Sequence, residues 1–87
     1  MIEVLDFYAN WCTPCKVLAP VLEKVASERD VKVVKVNIEE DVDDMAINYG
    51  VRNIPTVIAF DGENELGRFV GVKSEGDLNK FFEGLGN

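Results

Sequence analysis

Trp11-Cys12-Thr13-Pro14-Cys15 is the stretch from which the rest of this chain can be read. It contains the only two cysteines of an 87-residue protein, two residues apart. An apolar run from Ile2 to Tyr8 precedes it and a helix-like run follows. A helix that begins near Cys12 aims the free N–H groups of its first turn, and the positive end of its dipole, at the Cys12 sulfur, which favours the thiolate. Cys15 then stands one turn along the same helix, within reach of the first sulfur and deeper toward the packed side. One sulfur can attack and the other can resolve.

Upstream, Ile2-Glu3-Val4-Leu5-Asp6-Phe7-Tyr8 lacks clean alternation, as expected of a strand covered on both faces. Asp6 is the misfit in it. Ala9 and Asn10 make the turn, and Pro14 suits the first turn of the helix, where a missing N–H costs nothing. Val17, Leu18, Val21, Leu22 and Val25 recur at helical spacing and predict one buried stripe, with Lys16, Glu23, Lys24 and Glu28 on the other face. Pro20 is expected to remove one backbone bond and bend that helix. Val31 to Ile38 is rich in β-branched residues and reads as a second strand, which a β-α-β crossover makes parallel to the first. Asp41 is expected to cap a short helix, with Asp43 and Asp44 in its first turn, Met45 and Tyr49 facing inward and Gly50 ending it.

Arg52-Asn53-Ile54-Pro55 is a loop before a third strand, Thr56 to Phe60. Asp61-Gly62-Glu63-Asn64 is turn chemistry, and Glu65 to Val70 returns antiparallel as a fourth strand that Gly71 breaks. Ser74 and Asp77 resemble a capping box ahead of Leu78, Phe81, Phe82 and Leu85 at helical spacing, and Gly84 and Gly86 close the helix. The order β-α-β-α-β-β-α predicts an α/β fold, a four-stranded mixed sheet flanked by helices, in one domain over residues 1–87.

Composition narrows the function. With 47% apolar and 29% charged residues the chain is expected to be globular, and no apolar run reaches the roughly eighteen residues of a membrane span. The N-terminus starts on strand-like residues without a signal-type pattern, so a cytoplasmic location is expected, with no membrane partner. A net charge of −7 argues against a nucleic-acid surface, and the acidic run Glu39 to Asp44 reads as a solvated loop and helix start. The chain has no histidine, which excludes imidazole acid–base steps within it.

Three readings of the cysteine pair compete. As a staple it closes too short a loop to help much, roughly 2 kcal/mol against nearly 5 for a loop of about a hundred residues. As half of a zinc site it lacks partners short of a dimer. A redox dithiol is the third reading. Asp6, if buried, would have to be protonated, paired or hydrated; alternatively it is a strand-end carboxylate that reaches solvent. Trp11, beside the attacking sulfur, is either a core aromatic or part of an apolar rim.

A strand carrying Asp6-Phe7, the sequence Trp11-Cys12-Thr13-Pro14-Cys15, Ile54-Pro55-Thr56 entering the hairpin and Val70-Gly71 after it occur in one order and spacing. In this conjunction the whole chain from Ile2 to the final helix resembles the thioredoxin family. The resemblance implies a minimal thioredoxin-like fold and a protein disulfide reductase working through a Cys12/Cys15 dithiol–disulfide cycle. It implies that Asp6 lies buried behind Cys15 and helps move the proton off that thiol, with Lys35 as the partner of Asp6. It also implies that Pro55 is cis and faces the dithiol. The contact surface for an extended substrate segment would comprise Trp11, Thr13, Pro14, Ile54, Pro55 and Gly71. The implied partners are disulfide-containing proteins and a thioredoxin reductase or equivalent donor that carries flavin and nicotinamide. The chain itself would work as a monomer, with no bound cofactor beyond its redox-active disulfide. Two departures from the pattern stand out. Family members usually have a further strand and helix ahead of Ile2, so Val31 to Ile38 is expected at a sheet edge, where Lys32 and Lys35 discourage edge pairing. Thr13 stands where Gly is common, which leaves open a glutaredoxin-like or disulfide oxidase or isomerase role. A binding module that uses the same surface without redox turnover is a further alternative.

Overall fold

A computed structural model describes residues 1–86. Its central strand is β3 (Thr56–Asp61), flanked by β1 (Ile2–Tyr8) and β4 (Asn64–Val70), and β2 (Lys32–Asn37) lies outside β1, so the order is β2-β1-β3-β4. β1 and β2 run parallel, joined through helix α1 (Thr13–Glu28), while β3 is antiparallel to both β1 and β4. This is the mixed four-stranded sheet that the element order predicts. Residues 56–60 of β3 are all buried, as the middle of a sheet covered on both faces requires. β2 occupies the edge, as expected, with Lys32 and Lys35 exposed along it.

Two apolar layers clamp the sheet. On one face Val4, Val57, Ala59 and Phe69 pack with Leu18, Leu22, Val25 and Ala26 of α1 and with Leu78 and Phe82 of α3 (Glu75–Gly84). On the other, Leu5, Phe7, Val36, Ile58 and Phe60 pack with Met45 and Ala46 of the short helix α2 (Met45–Asn48). Strand alternation therefore puts Val4, Asp6 and Tyr8 on the α1 side and Leu5 and Phe7 on the α2 side. Arg29 fastens α1 to α3 through Asn79 Oδ1 at 2.9 Å and Glu83 Oε2 at 3.0 Å.

Several local expectations shift. α1 continues through Pro20, and its buried stripe is Leu18, Leu22, Val25 and Ala26; Val17 is 57% exposed, one step off the stripe at 100° per residue. β2 is shorter than Val31 to Ile38 because Asn37 caps a 3₁₀ turn, Ile38–Glu40, with its side chain accepting from Glu39 N–H. Asp43 and Asp44 precede α2 instead of forming its first turn. Asp41 does the capping from four residues upstream, its two carboxylate oxygens accepting from Met45 N–H at 2.9 Å and Ala46 N–H at 2.8 Å. Gly50, at φ +70°, turns the chain after α2 in a left-handed conformation that a side chain would strain. Tyr49 keeps a partly exposed ring but lays it on Phe60 and Phe7, with centroids 5.3 Å and 6.4 Å away. Ser74 caps α3 by accepting from Asp77 N–H, so this half of the capping box forms.

Candidate active site

The C-terminal end of β1 feeds directly into the cysteine pair. Ala9 C=O accepts from Cys12 N–H at 3.1 Å, a tight turn that delivers Cys12 to the N-cap of α1. There the Cys12 Sγ accepts the Cys15 N–H at 3.2 Å. A sulfur in the place usually taken by a capping oxygen thus meets one of the helix's unpaired donors and the positive end of its dipole. Both features stabilise negative charge on Cys12 once the pair is reduced. The two sulfurs are joined in a disulfide, with Cα atoms 5.3 Å apart. Cys12 and Cys15 are only 4% and 5% exposed and pack with Ala9, Tyr8, Ile38 and Ile54.

Around the disulfide the rim is apolar. Trp11 is 64% exposed, which decides for the rim over the core. Thr13 and Pro14 are exposed at the start of α1. Ile54 reaches the cysteines from the opposite loop, and the Ile54-Pro55 peptide bond is cis. Pro55 C=O accepts from Gly71 N–H at 2.9 Å, so the loop after β4 is sewn to the loop before β3. Gly71 sits at φ +92° with open space where a Cβ would stand. Val70 and Val72 on either side of it are also exposed, an apolar extension of the rim that the sequence reading did not single out.

Asp6 lies on the sheet face that α1 covers, 3% exposed, and its Oδ1 is buried without a hydrogen-bond partner. Burial pushes its carboxyl above the ordinary carboxylate range; Lys35 pulls it back down, and Glu23 on α1 adds to the rise. Strand-end solvation, the bland alternative, is therefore excluded. Lys35 is the register partner of Asp6 across β1 and β2, on the same face. Among the described residues, however, it forms no ion pair with Asp6, and its exposed ammonium lies 4.7 Å from the centroid of the Tyr8 ring. The expected pairing is thus a coulombic influence without contact. Tyr8 was missed by the sequence reading, although alternation along β1 places it two residues beyond Asp6 on the same face. A recess of about 280 Å³ beside the dithiol is lined by Tyr8, Cys15, Lys16 and Lys35, among others. Among the described residues no cluster of three or more His, Cys, Asp or Glu side chains gathers to hold a metal, and no helix is long and apolar enough to cross a membrane.

The thioredoxin family profile matches residues 2–84. The chain belongs to the thioredoxin family. It is 42% identical over 83 residues to a mitochondrial thioredoxin of Bos taurus, a match that covers 94% of this chain and 50% of that protein. It is 40% identical over 82 residues to a thioredoxin of Buchnera aphidicola, covering 92% of this chain and 75% of that one. The chain thus spans about half the length of the mammalian mitochondrial thioredoxins it matches. Among solved structures, a single-site mutant of a thioredoxin from Halobacterium salinarum superposes with a TM-score of 0.88 at 35% identity, covering 99% of this chain and 75% of that chain. In this thioredoxin-family fold the cysteine pair takes the Cys-x-x-Cys position at the head of a helix.

Proposed function

We propose that this chain is a thiol–disulfide oxidoreductase that reduces protein disulfides. The observation that carries the reading is the Cys12 sulfur set at the N-cap of α1, hydrogen-bonded to Cys15 N–H and joined to Cys15 in a cluster on which Ile54 packs. In the reduced protein the Cys12 thiolate attacks one sulfur of a substrate disulfide, and the other substrate sulfur leaves as a thiolate. Cys15 gives up its proton with help from Asp6, and its thiolate attacks Cys12 Sγ. The Cys12–Cys15 bond forms as the bond to substrate breaks, and the second substrate sulfur leaves with the electron pair. The substrate disulfide is reduced and the dithiol oxidised.

Each rim residue has a part in this reading. Trp11, Thr13, Pro14 and Gly71 form the surface on which an extended substrate segment lies, and the Ile54 backbone offers it strand-like hydrogen bonds; Pro55, expected on that surface, has a fully buried side chain and backs it from beneath. Lys35 acts on Asp6 through its field. The oxidised pair is returned to the dithiol by a thioredoxin reductase or an equivalent donor, and a reducing cytoplasm is the compartment in which such a cycle runs. The test is turnover of a disulfide-bonded protein substrate with a chemical dithiol, against Cys12→Ser and with glutathione in place of the dithiol. Reduction that needs Cys12 and gains little from glutathione supports the reading. Turnover driven by glutathione points instead to the glutaredoxin-like role, and unchanged turnover in Cys12→Ser defeats both.

A further inference from the structure

Tyr8 takes no part in the reaction just written, yet it stands between the cysteine pair and Lys35. Its ring packs on the cluster of Ala9, Cys12 and Cys15. The Lys35 ammonium lies 4.7 Å from the ring centroid, well inside the roughly 6 Å over which a ring face attracts a cation. Tyr8 and Lys35 together border two recesses. The first, beside the dithiol, includes Cys15 and Lys16. The second, about 350 Å³, is walled by the carboxylate-bearing Glu40, Asp41 and Asp43. The exposed Lys35 side chain therefore has two destinations. It can stay over the sheet face that it shares with Asp6, or it can move out to water and the acidic loop.

The surroundings of Asp6 make that choice matter. From α1 it feels Glu23, from β2 it feels Lys35, and its neighbour across β3 is the apolar Val57. Among the described residues, Lys35 is thus the cation that lowers the titration of a buried carboxyl whose Oδ1 has no hydrogen-bond partner. We propose that Tyr8 is a positioning residue for the resolving step: its ring tethers the Lys35 ammonium over the Asp6 face, and the tethered charge sustains the Asp6 carboxylate that takes the Cys15 proton. This inference rests on the dithiol reading above. In the step concerned, the Cys15 S–H bond breaks as its proton passes to Asp6. The Cys15 thiolate then attacks Cys12 Sγ, and the substrate sulfur departs as a thiolate with the electron pair of the broken Cys12–substrate bond.

The experiment measures two things in the full chain. One is the pH profile of substrate-thiol release from the Cys12 mixed disulfide; the other is the titration of the Asp6 carboxyl carbon by NMR in the oxidised protein. Tyr8→Leu removes the ring and Tyr8→Trp keeps an aromatic face, and each is also made in a Lys35→Met background. Tyr8→Leu is expected to slow release about two- to five-fold on the acid side of the profile, the effect of one exposed cation–π contact, and to move the Asp6 titration to higher pH. Tyr8→Trp restores both. In the Lys35→Met background Tyr8→Leu adds nothing. An equal slowing in that background, or an Asp6 titration that does not move, overturns the proposal in favour of simple packing. If Tyr8→Leu fails to fold, Lys35→Met alone carries the test: it must raise the Asp6 titration, and an unmoved titration overturns the proposal. Since the NMR readout needs no substrate, a chain that reduces no protein disulfide but shows the Tyr8-dependent titration would sink the dithiol reading and leave the tether supported.

Discussion

Replacing Asp6 by Asn tests the buried carboxyl through stability alone. The folded-state pKa of Asp6 is raised above its ordinary 3.8, chiefly by burial. At pH below 3.8 the group is protonated in both the folded and the unfolded chain and contributes no pH dependence. Between 3.8 and the raised value the unfolded chain releases a proton that the folded chain keeps. Stability is therefore lost as pH rises through this window, at a limiting slope of about 1.4 kcal/mol per pH unit for one proton. Above the folded value the loss is complete and levels off. Asn cannot ionise, so the Asp6→Asn protein is expected to gain on the wild type at that slope through the window and then hold a constant advantage. The amide's own unsatisfied groups add only a pH-independent offset. Urea unfolding with the disulfide intact, followed by far-UV circular dichroism across a pH series, gives the difference, and the pH at which it levels off reads the Asp6 titration. A difference that is flat with pH, or that grows toward acid, would refute the claim that burial raises the Asp6 titration in the folded chain.

Three further outcomes are expected. Cys15→Ser accumulates a mixed disulfide between Cys12 and a disulfide-bonded substrate protein, visible as a mass adduct, whereas Cys12→Ser accumulates none, because only Cys12 holds the N-cap of α1, where its thiolate is stabilised. The Cys12–Cys15 disulfide, at a sequence separation of 3, adds only about 2 kcal/mol in urea unfolding relative to a protein with both cysteines replaced by Ser; a value near 5 would contradict so local a loop. Asp41→Ala removes both side-chain bonds to the start of α2 and lowers stability by about 1 kcal/mol, checked by the same titration at neutral pH.

Elements whose residues answer to one dominant force were legible in the sequence. β1 and β3 are covered on both faces, and their mostly apolar runs without clean alternation say so without any knowledge of neighbours. The N-cap position of Cys12 follows from the Ala9-Asn10 turn and from Pro14, a residue favoured in the first turn. The rim position expected of Trp11 is matched by its 64% exposure, although an aromatic beside a helix start satisfies either surroundings and its residue type alone left a core position open. α2 shows a different limit. Asp41 was legible as the cap, but Asp43 and Asp44 stand before the helix and not in its first turn, because the chain enters α2 from the 3₁₀ turn that Asn37 sets up, a backbone path no side-chain periodicity encodes.

Lys35 marks where reading by residue type stops and geometry begins. Its register opposite Asp6 follows from the parallel β1–β2 pairing, so sequence reasoning could place the two on one face. That register does not determine the contact. A lysine stem is long and flexible, and its ammonium goes where desolvation costs least. Pairing with Asp6 would bring a strongly hydrated cation toward a side chain that is 3% exposed. The Tyr8 ring face lies closer to water and attracts the same charge without removing its hydration. The cation therefore stays at the surface and acts on Asp6 through space, strongly enough to oppose the effect of burial but too weakly to cancel it. A carboxyl left in that balance is held above the ordinary carboxylate range by burial and drawn back toward it by Lys35, and on the proposed dithiol mechanism that balance suits a group exchanging a proton with Cys15.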